Sequence, residues 1–171
     1  KFIPPLSKEK MPTIIYLGVL SKDKGVEDAL KCFALLNKKG KFQFWVVGKP
    51  ETESYGDHIK KMTKKLGLDK KVKFWGFVTQ EKKFDLLAKS HVLINPSIHE
   101  GWGLVNIEAN SVGTPIVSYK SAGLIDSVKE GISGIICREN TPENMAEIVT
   151  NLLNYKEKYQ ILILGAVSLS K

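Results

Sequence analysis

Apolar residues recur along this chain in two alternating patterns. "TIIYLG" (13–18) is a short β-branched run ending in glycine; "KGVEDALKCFALLNKKG" (24–40) then places Val26, Ala29, Leu30, Phe33, Ala34 and Leu36 at helical spacing and closes at Gly40. The unit repeats as "FQFWVVG" before "SYGDHIKKMTKKLG", "KVKFWG" before "QEKKFDLLAKS", "HVLINP" before "GLVNIEANSVG", "PIVSYK" before a short "LIDSVKEG", and "SGIIC" before "PENMAEIVTNLLNY". The strand runs are mostly apolar without strict alternation, as expected of strands buried on both faces, and crossover helices impose parallel pairing. The predicted fold class is α/β, a doubly wound parallel sheet of about six strands. Ligands in such sheets bind beyond the carboxyl ends of the strands, which selects the loops "GVLSKDKG", "GKPETES", "GFVTQ", "NPSIHEGWG", "YKSAGL" and "CRENTPE".

Length and composition narrow this further. A chain of 171 residues, 43% hydrophobic, fits one domain with a real core. Residues 1–12, with Pro4, Pro5 and Pro12, read as a linker, and 13–171 as the domain. No apolar run approaches the roughly 20 residues of a membrane span, and the N-terminal segment lacks a signal peptide's apolar core. Cys32 and Cys137 lie far apart inside apolar stretches without metal-ligand spacing, which predicts buried free thiols and a reducing, cytoplasmic setting. The formal charge is +8, yet Arg138 is the sole arginine among 26 basic residues. Lysine in such excess reads first as a solvated surface rather than a nucleic-acid reader, since base and phosphate recognition lean on arginine's bidentate fork. Attraction to phosphates or to an anionic membrane surface is the second reading.

Among the loops, the first carries Gly18 and Gly25 without the three-glycine turn of a dinucleotide cradle, and offers Lys22 and Lys24 just ahead of a helix N-terminus, where a phosphate meets free N–H groups and positive charge. "VVGKPE" lacks the upstream glycine and the Ser or Thr of a P-loop. The fourth loop is richer. Gly101 and Gly103 stand at a strand-to-helix junction, so backbone can approach a ligand and the helix amides point at an anion. Glu100 and Glu108 flank them. If the helix begins near Gly103, eight residues advance about 12 Å and turn about 80°, a spacing that suits two ends of an extended ligand better than an acid/base pair about 5–9.5 Å apart. His58 belongs to a lysine-rich helix surface and His91 to the start of a strand, whereas His99 abuts Glu100 and is balanced between structure and function. No Ser/His/Asp or metal constellation emerges.

Taken together, "YLGVLSKDKGVEDAL", "FWVVGKP" and the long stretch from "VKFWGFVTQEKKF" through "NPSIHEGWGLVNIEANSVGTPIVSYK" to "GISGIIC" resemble the C-terminal, donor-binding domain of group 1 (family 4) retaining glycosyltransferases, over about residues 13–165. The resemblance implies a Rossmann-like half of a GT-B fold. It matches Glu100 and Glu108 to the family's E-x7-E signature, the first on the sugar of a nucleotide-sugar donor, the second on the ribose hydroxyls. The amides around Gly103, Leu104 and Val105 would face the diphosphate, Phe77 and Val78 the nucleobase through backbone, and Lys24 would neutralise the diphosphate in the loop opened by Gly18. No metal or other cofactor is implied beyond a UDP-, GDP- or ADP-sugar.

The chain departs from the family at two positions. Val19 replaces an arginine that helps stabilise the departing nucleoside diphosphate, with Lys22 the nearest cation in sequence, and "GLIDS" puts Asp126 where a glutamate is usual. The resemblance also implies an N-terminal domain, absent from this chain, that would bring a glycan or lipid acceptor, so this fragment alone is expected to be inactive. The expected function is donor binding for sugar transfer, in the cytoplasm and at its membrane surface if the lysines serve there. The competing reading is a non-catalytic nucleotide-binding or partner module on the same half-fold.

Overall fold

The computed structural model describes residues 7–169; Pro4 and Pro5 of the expected linker lie outside them. The elements alternate as the pattern predicts: β1 (Thr13–Leu17), α1 (Val26–Asn37), β2 (Gln43–Val47), α2 (Glu53–Lys65), β3 (Val72–Gly76), α3 (Gln80–Lys89), β4 (Val92–Asn95), α4 (Leu104–Ser111), β5 (Ile116–Ser118), α5 (Ala122–Ile125), β6 (Gly134–Ile136), α6 (Pro142–Asn154) and α7 (Lys156–Leu169). The six strands form one sheet in the order β3-β2-β1-β4-β5-β6, every neighbouring pair parallel. This is the doubly wound arrangement, with the order reversing between β1 and β4.

Alternation along the strands divides the core. Ile14 and Tyr16 of β1 face α1, α2 and α6, packing with Val26, Leu30, Phe33, Ile59, Met145 and Val149. Ile15 faces the other way, with Trp45, Leu86, Leu87, Leu93 and Ala109, under α3 and α4. Cys32 and Cys137 are buried and free, and burial pushes both thiols up, Cys137 to about 12.

Two elements depart from the sequence reading. The short helix expected over 124–131 occupies 122–125 instead, starting from the extended N-cap Ser121, and residues 126–133 connect it to β6. The tail beyond 155, to which the pattern gave no element, is helix α7. Its Leu162 and Ala166 are buried, and its Tyr159 hydroxyl donates to the His91 carbonyl at 2.8 Å. His91 is structural, as expected. Its Nδ1 accepts from the Thr13 N–H at 3.0 Å, and its backbone N–H donates to the Thr13 carbonyl at 2.8 Å, so ring and backbone together seam the amino ends of β1 and β4. Burial, together with the nearby Lys8 charge, holds this imidazole down at about 4. The described end of the expected linker packs on the same region, with Lys8 Nζ donating to Thr114 Oγ1 at 2.8 Å and burial pulling its ammonium down to about 7. His58 is exposed, 3.1 Å from Glu27 Oε1.

Candidate functional site

The strand-order reversal opens a crevice between the loops that follow β1 and β4, and those loops are locked to each other. The Ile98 N–H donates to the Asp23 carbonyl at 3.0 Å, and Ser97 Oγ lies 3.3 Å from that oxygen and 3.0 Å from the His99 carbonyl. Gly25, the left-handed N-cap of α1 at φ 73°, rests on the Pro96 carbonyl, where a Cβ would collide. So fastened, the first loop delivers Lys24 into the fourth: its Nζ is 2.9 Å from Glu100 Oε2 and 3.0 Å from the His99 carbonyl. Lys24 and Glu100, 76 residues apart in sequence, form one charged pair at the reversal point.

Gly103 caps α4 in the left-handed conformation (φ 59°, ψ 38°) and supplies no side-chain cap, so the first amides of the helix are left for another acceptor. The segment around α5 presses on this turn. A Cβ on Gly103 would strike Ser127 Oγ, and one on Gly123 would strike the carbonyl oxygens of Glu100 and Gly101. Beneath runs a polar chain that sequence reading missed: Asn95 Nδ2 donates to Asn106 Oδ1 at 3.0 Å, Asn106 Nδ2 to Ser127 Oγ at 2.9 Å, and Ser127 Oγ to the Leu124 carbonyl at 3.0 Å. Asn106 is fully buried. Its amide therefore sets the turn of α4 against β4 and the segment after α5 by hydrogen bonds that water cannot replace.

Glu108 lies one helical turn inside α4 and pairs with Lys83 of α3 at 2.6 Å. Lys83 is the more sequestered partner, with 15% of its side chain exposed. It was not among the candidate residues; only its position in a lysine-rich helix start was visible. The two glutamates thus hold different lysines on different elements.

The remaining candidates line the same end of the sheet. Gly18 follows β1, and its carbonyl is so close to Gly48 that a Cβ there would overlap it. Val19 is half exposed and its carbonyl accepts from Tyr16 Oη at 2.8 Å, while Lys22 is exposed. Phe77 projects from the end of β3, 76% exposed, with Lys49 Nζ 5.3 Å from its ring centroid, and Val78 packs half-buried against the second core cluster. Leu104 is exposed on the first turn of α4, Val105 partly buried and Gly101 exposed. The His99 ring is 76% exposed and 4.0 Å from the Asp23 carboxylate, so its carbonyl, not its ring, serves the Lys24 contact. Asp126 is exposed and lines a hollow with Ile107, Asn110 and Lys129.

With this geometry in hand, comparison with known proteins gives the class. The family model "Glycosyl transferases group 1" matches residues 1–166, and the chain belongs to that family. The fold is the Rossmann-like half of a GT-B glycosyltransferase. An uncharacterised glycosyltransferase of Methanocaldococcus jannaschii is 28% identical over 146 residues, 85% of this chain and 36% of the relative. Among solved structures, Anabaena HepE in complex with UDP and glucose superposes with a TM-score of 0.85 at 22% identity, over 94% of this chain and 43% of that one. The C-terminal domain of a group 1 glycosyl transferase (LpcC) from Francisella tularensis gives 0.85 at 18% identity, over 98% and 93%. The chain spans about a third of the length of the curated relatives it matches.

Proposed function

We propose that this chain is the donor-binding domain of a retaining glycosyltransferase, holding a nucleotide-sugar across the β1/β4 crevice for transfer to a glycan or lipid acceptor brought by an N-terminal domain. The observation that carries this reading is the Lys24–Glu100 pair at the crevice, with Glu100 only three residues ahead of the Gly103 N-cap, whose helix start has no side-chain cap. An anion arriving there meets an ammonium and the helix amides together, which stabilises negative charge as it builds on a departing diphosphate. No metal is required in this reading. Glu100, at the mouth, takes the sugar hydroxyls; Gly101, Gly103, Leu104 and Val105 line the diphosphate side; Glu108, steadied by Lys83, takes the ribose; Gly18, Lys22 and His99 border the entrance. Phe77 and Val78 meet the base. Support for a nucleotide donor also comes from the UDP bound to the Anabaena HepE neighbour.

A second reading has its own observation. Val19 stands half exposed where the family places an arginine, so one cation for the leaving group is missing, and the chain would then be a nucleotide-binding module without transfer. Calorimetric or NMR titration with UDP, GDP and ADP tests what both readings share. We expect binding to at least one of them, weakened about tenfold, or about 1.4 kcal/mol, by Glu108→Ala. Glu100→Ala, which leaves Lys24 without its carboxylate, is expected chiefly to remove the difference between a nucleotide-sugar and its diphosphate, without weakening nucleoside diphosphate binding. No binding to any of the three rejects the donor-domain reading. Restoring Arg at position 19 by Val19→Arg in the complete enzyme separates the readings: a gain in turnover supports transfer chemistry at this site, and no detectable turnover with either residue supports the module. Among the described residues no helix is long and apolar enough to cross a membrane.

A further inference from the structure

The excess positive charge is not spread evenly over the fold. Parallel strands with antiparallel crossover helices put every helix-to-strand connection at one end of the sheet, opposite the crevice. Hydrogen bonds join these connections across the strands, with the Gln43 N–H donating to the Pro12 carbonyl at 3.1 Å and the Phe44 N–H to the Lys71 carbonyl at 2.9 Å. Beneath β2 and β3, this amino end is basic. Lys38, Lys39 and Lys41 are exposed in the connection into β2, where no acid interrupts them. On α2, Lys64 and Lys65 are exposed in the last turn, which reaches this end, and Lys60 and Lys61 one turn earlier continue the charge along the exposed flank of the helix. From Ile59 to Lys73 the one acid is Asp69.

Favourable charge at helix C-termini accounts for only part of this, since it acts within the last turn, which on α2 holds Lys64 and Lys65. The other half of the same end is different in kind. Helix α7 lies across it, tied by Tyr159 to His91 ahead of β4 and by Gly165, which is in such close contact with the Ile132 backbone ahead of β6 that a Cβ would overlap it. Its outward side exposes Ile161 (59%) and Leu164 (69%), with Tyr155 (64%) at its start and Ile132 (50%) beside it.

We propose that this amino end is a docking face for an anionic lipid surface, the lysines of α2 and the β2 connection drawing it to the headgroups and the exposed row of α7 entering the interface. Three features select a bilayer over a nucleic acid. Lysine ammoniums are diffuse point charges that suit a fluid anionic surface, while the arginine fork that reads phosphates and bases is absent from this face. The other half of the same end exposes aliphatic residues and a tyrosine, as interfacial insertion requires. The face also lies at the end of the sheet away from the crevice, so docking leaves the proposed donor site open to water.

The test is co-sedimentation of the chain with vesicles of phosphatidylcholine alone and of an equal mixture with phosphatidylglycerol, at low and high salt, against a short DNA duplex as competitor. We expect binding to the mixed vesicles only, reversed by salt, and reduced at least tenfold by the combined substitution Lys60→Gln, Lys61→Gln, Lys64→Gln and Lys65→Gln. The pair Ile161→Ser and Leu164→Ser is expected to weaken binding that persists at intermediate salt. Circular dichroism melts and a nucleoside diphosphate titration on the same variants verify that fold and donor site are intact. Equal binding to both vesicle types, no binding to either, or unchanged binding by the four-lysine variant overturns the proposal. Preferential capture by the duplex overturns it in favour of a nucleic-acid surface. None of these outcomes depends on whether the crevice binds a nucleotide.

Discussion

Gly123 shows how narrowly single residues set the crevice. Its α-carbon is held against the Glu100 and Gly101 carbonyls, so Gly123→Ala forces backbone apart rather than a flexible side chain aside. The expected outcome is a loss of about 1–3 kcal/mol in urea unfolding, with weaker nucleotide binding in the fraction that stays folded. At this scale the sequence was partly legible. Glu100, Gly103 and Glu108 stood out because a strand-to-helix junction with two glycines is rare enough to read, and the position of Glu108 inside α4 followed from the helix start. Lys83 did not stand out, because one lysine in a helix start rich in them carries no local signal; its pairing with Glu108 exists only once α3 and α4 lie side by side. Asn106 was hidden differently. A polar residue in a helix reads as surface, and only tertiary structure turns it inward to Asn95 and Ser127. Asn106→Ala strands those two partners, with an expected cost of about 1–3 kcal/mol by urea unfolding.

Elements followed the pattern closely wherever one face of each was apolar. All six strands and the helices between them were predicted in order, since buried parallel strands and amphipathic crossovers leave distinct periodicities. Helix α7 was not. Its "YQILILGAV" run is apolar on the buried side, at Leu162 and Ala166, and on the exposed side, at Ile161 and Leu164, so the pattern singles out no face. The seam beneath β1 and β4 gives an element-scale prediction. His91 must be neutral at Nδ1 to accept from Thr13. Its folded value near 4 lies below the ordinary 6.5 of the unfolded chain, so between those values the unfolded state binds more protons. Stability therefore rises as pH rises from about 4 to 6.5 and falls on acidification through that window. Its ring resonances are expected to titrate near 4 by NMR, and the slope of urea midpoint against pH to flatten in this range in His91→Ala, which lowers stability at neutral pH. Lys8 acts in the same sense at higher pH: its folded value near 7 against 10.5 unfolded makes stability rise between them.

For the whole molecule, composition gave the sign of the charge but not its place. Lysine in excess reads as a solvated surface, and the fold brings two lysine-rich stretches, 38–41 and 60–73, towards the end of a sheet whose other end carries the crevice. Such polarity is invisible in a linear sequence, because it arises from the alternating direction of strand and helix. It predicts an electrostatic dipole along the strand axis, measurable as orientation-dependent adsorption to a charged surface and lost in the four-lysine variant.

The crevice itself behaves otherwise. Each of its two glutamates already has a lysine, Lys24 on Glu100 and Lys83 on Glu108, so a diphosphate entering there does not fall into a reservoir of uncompensated positive charge. On the proposed reading it trades places with the Glu100 carboxylate on Lys24. Few counterions are then displaced, and nucleotide affinity should change little with ionic strength even though the protein carries a formal charge of +8. On the proposed reading the exchange would free Glu100 as Lys24 turns to phosphate, which would tie the sugar contact to the arrival of the nucleotide.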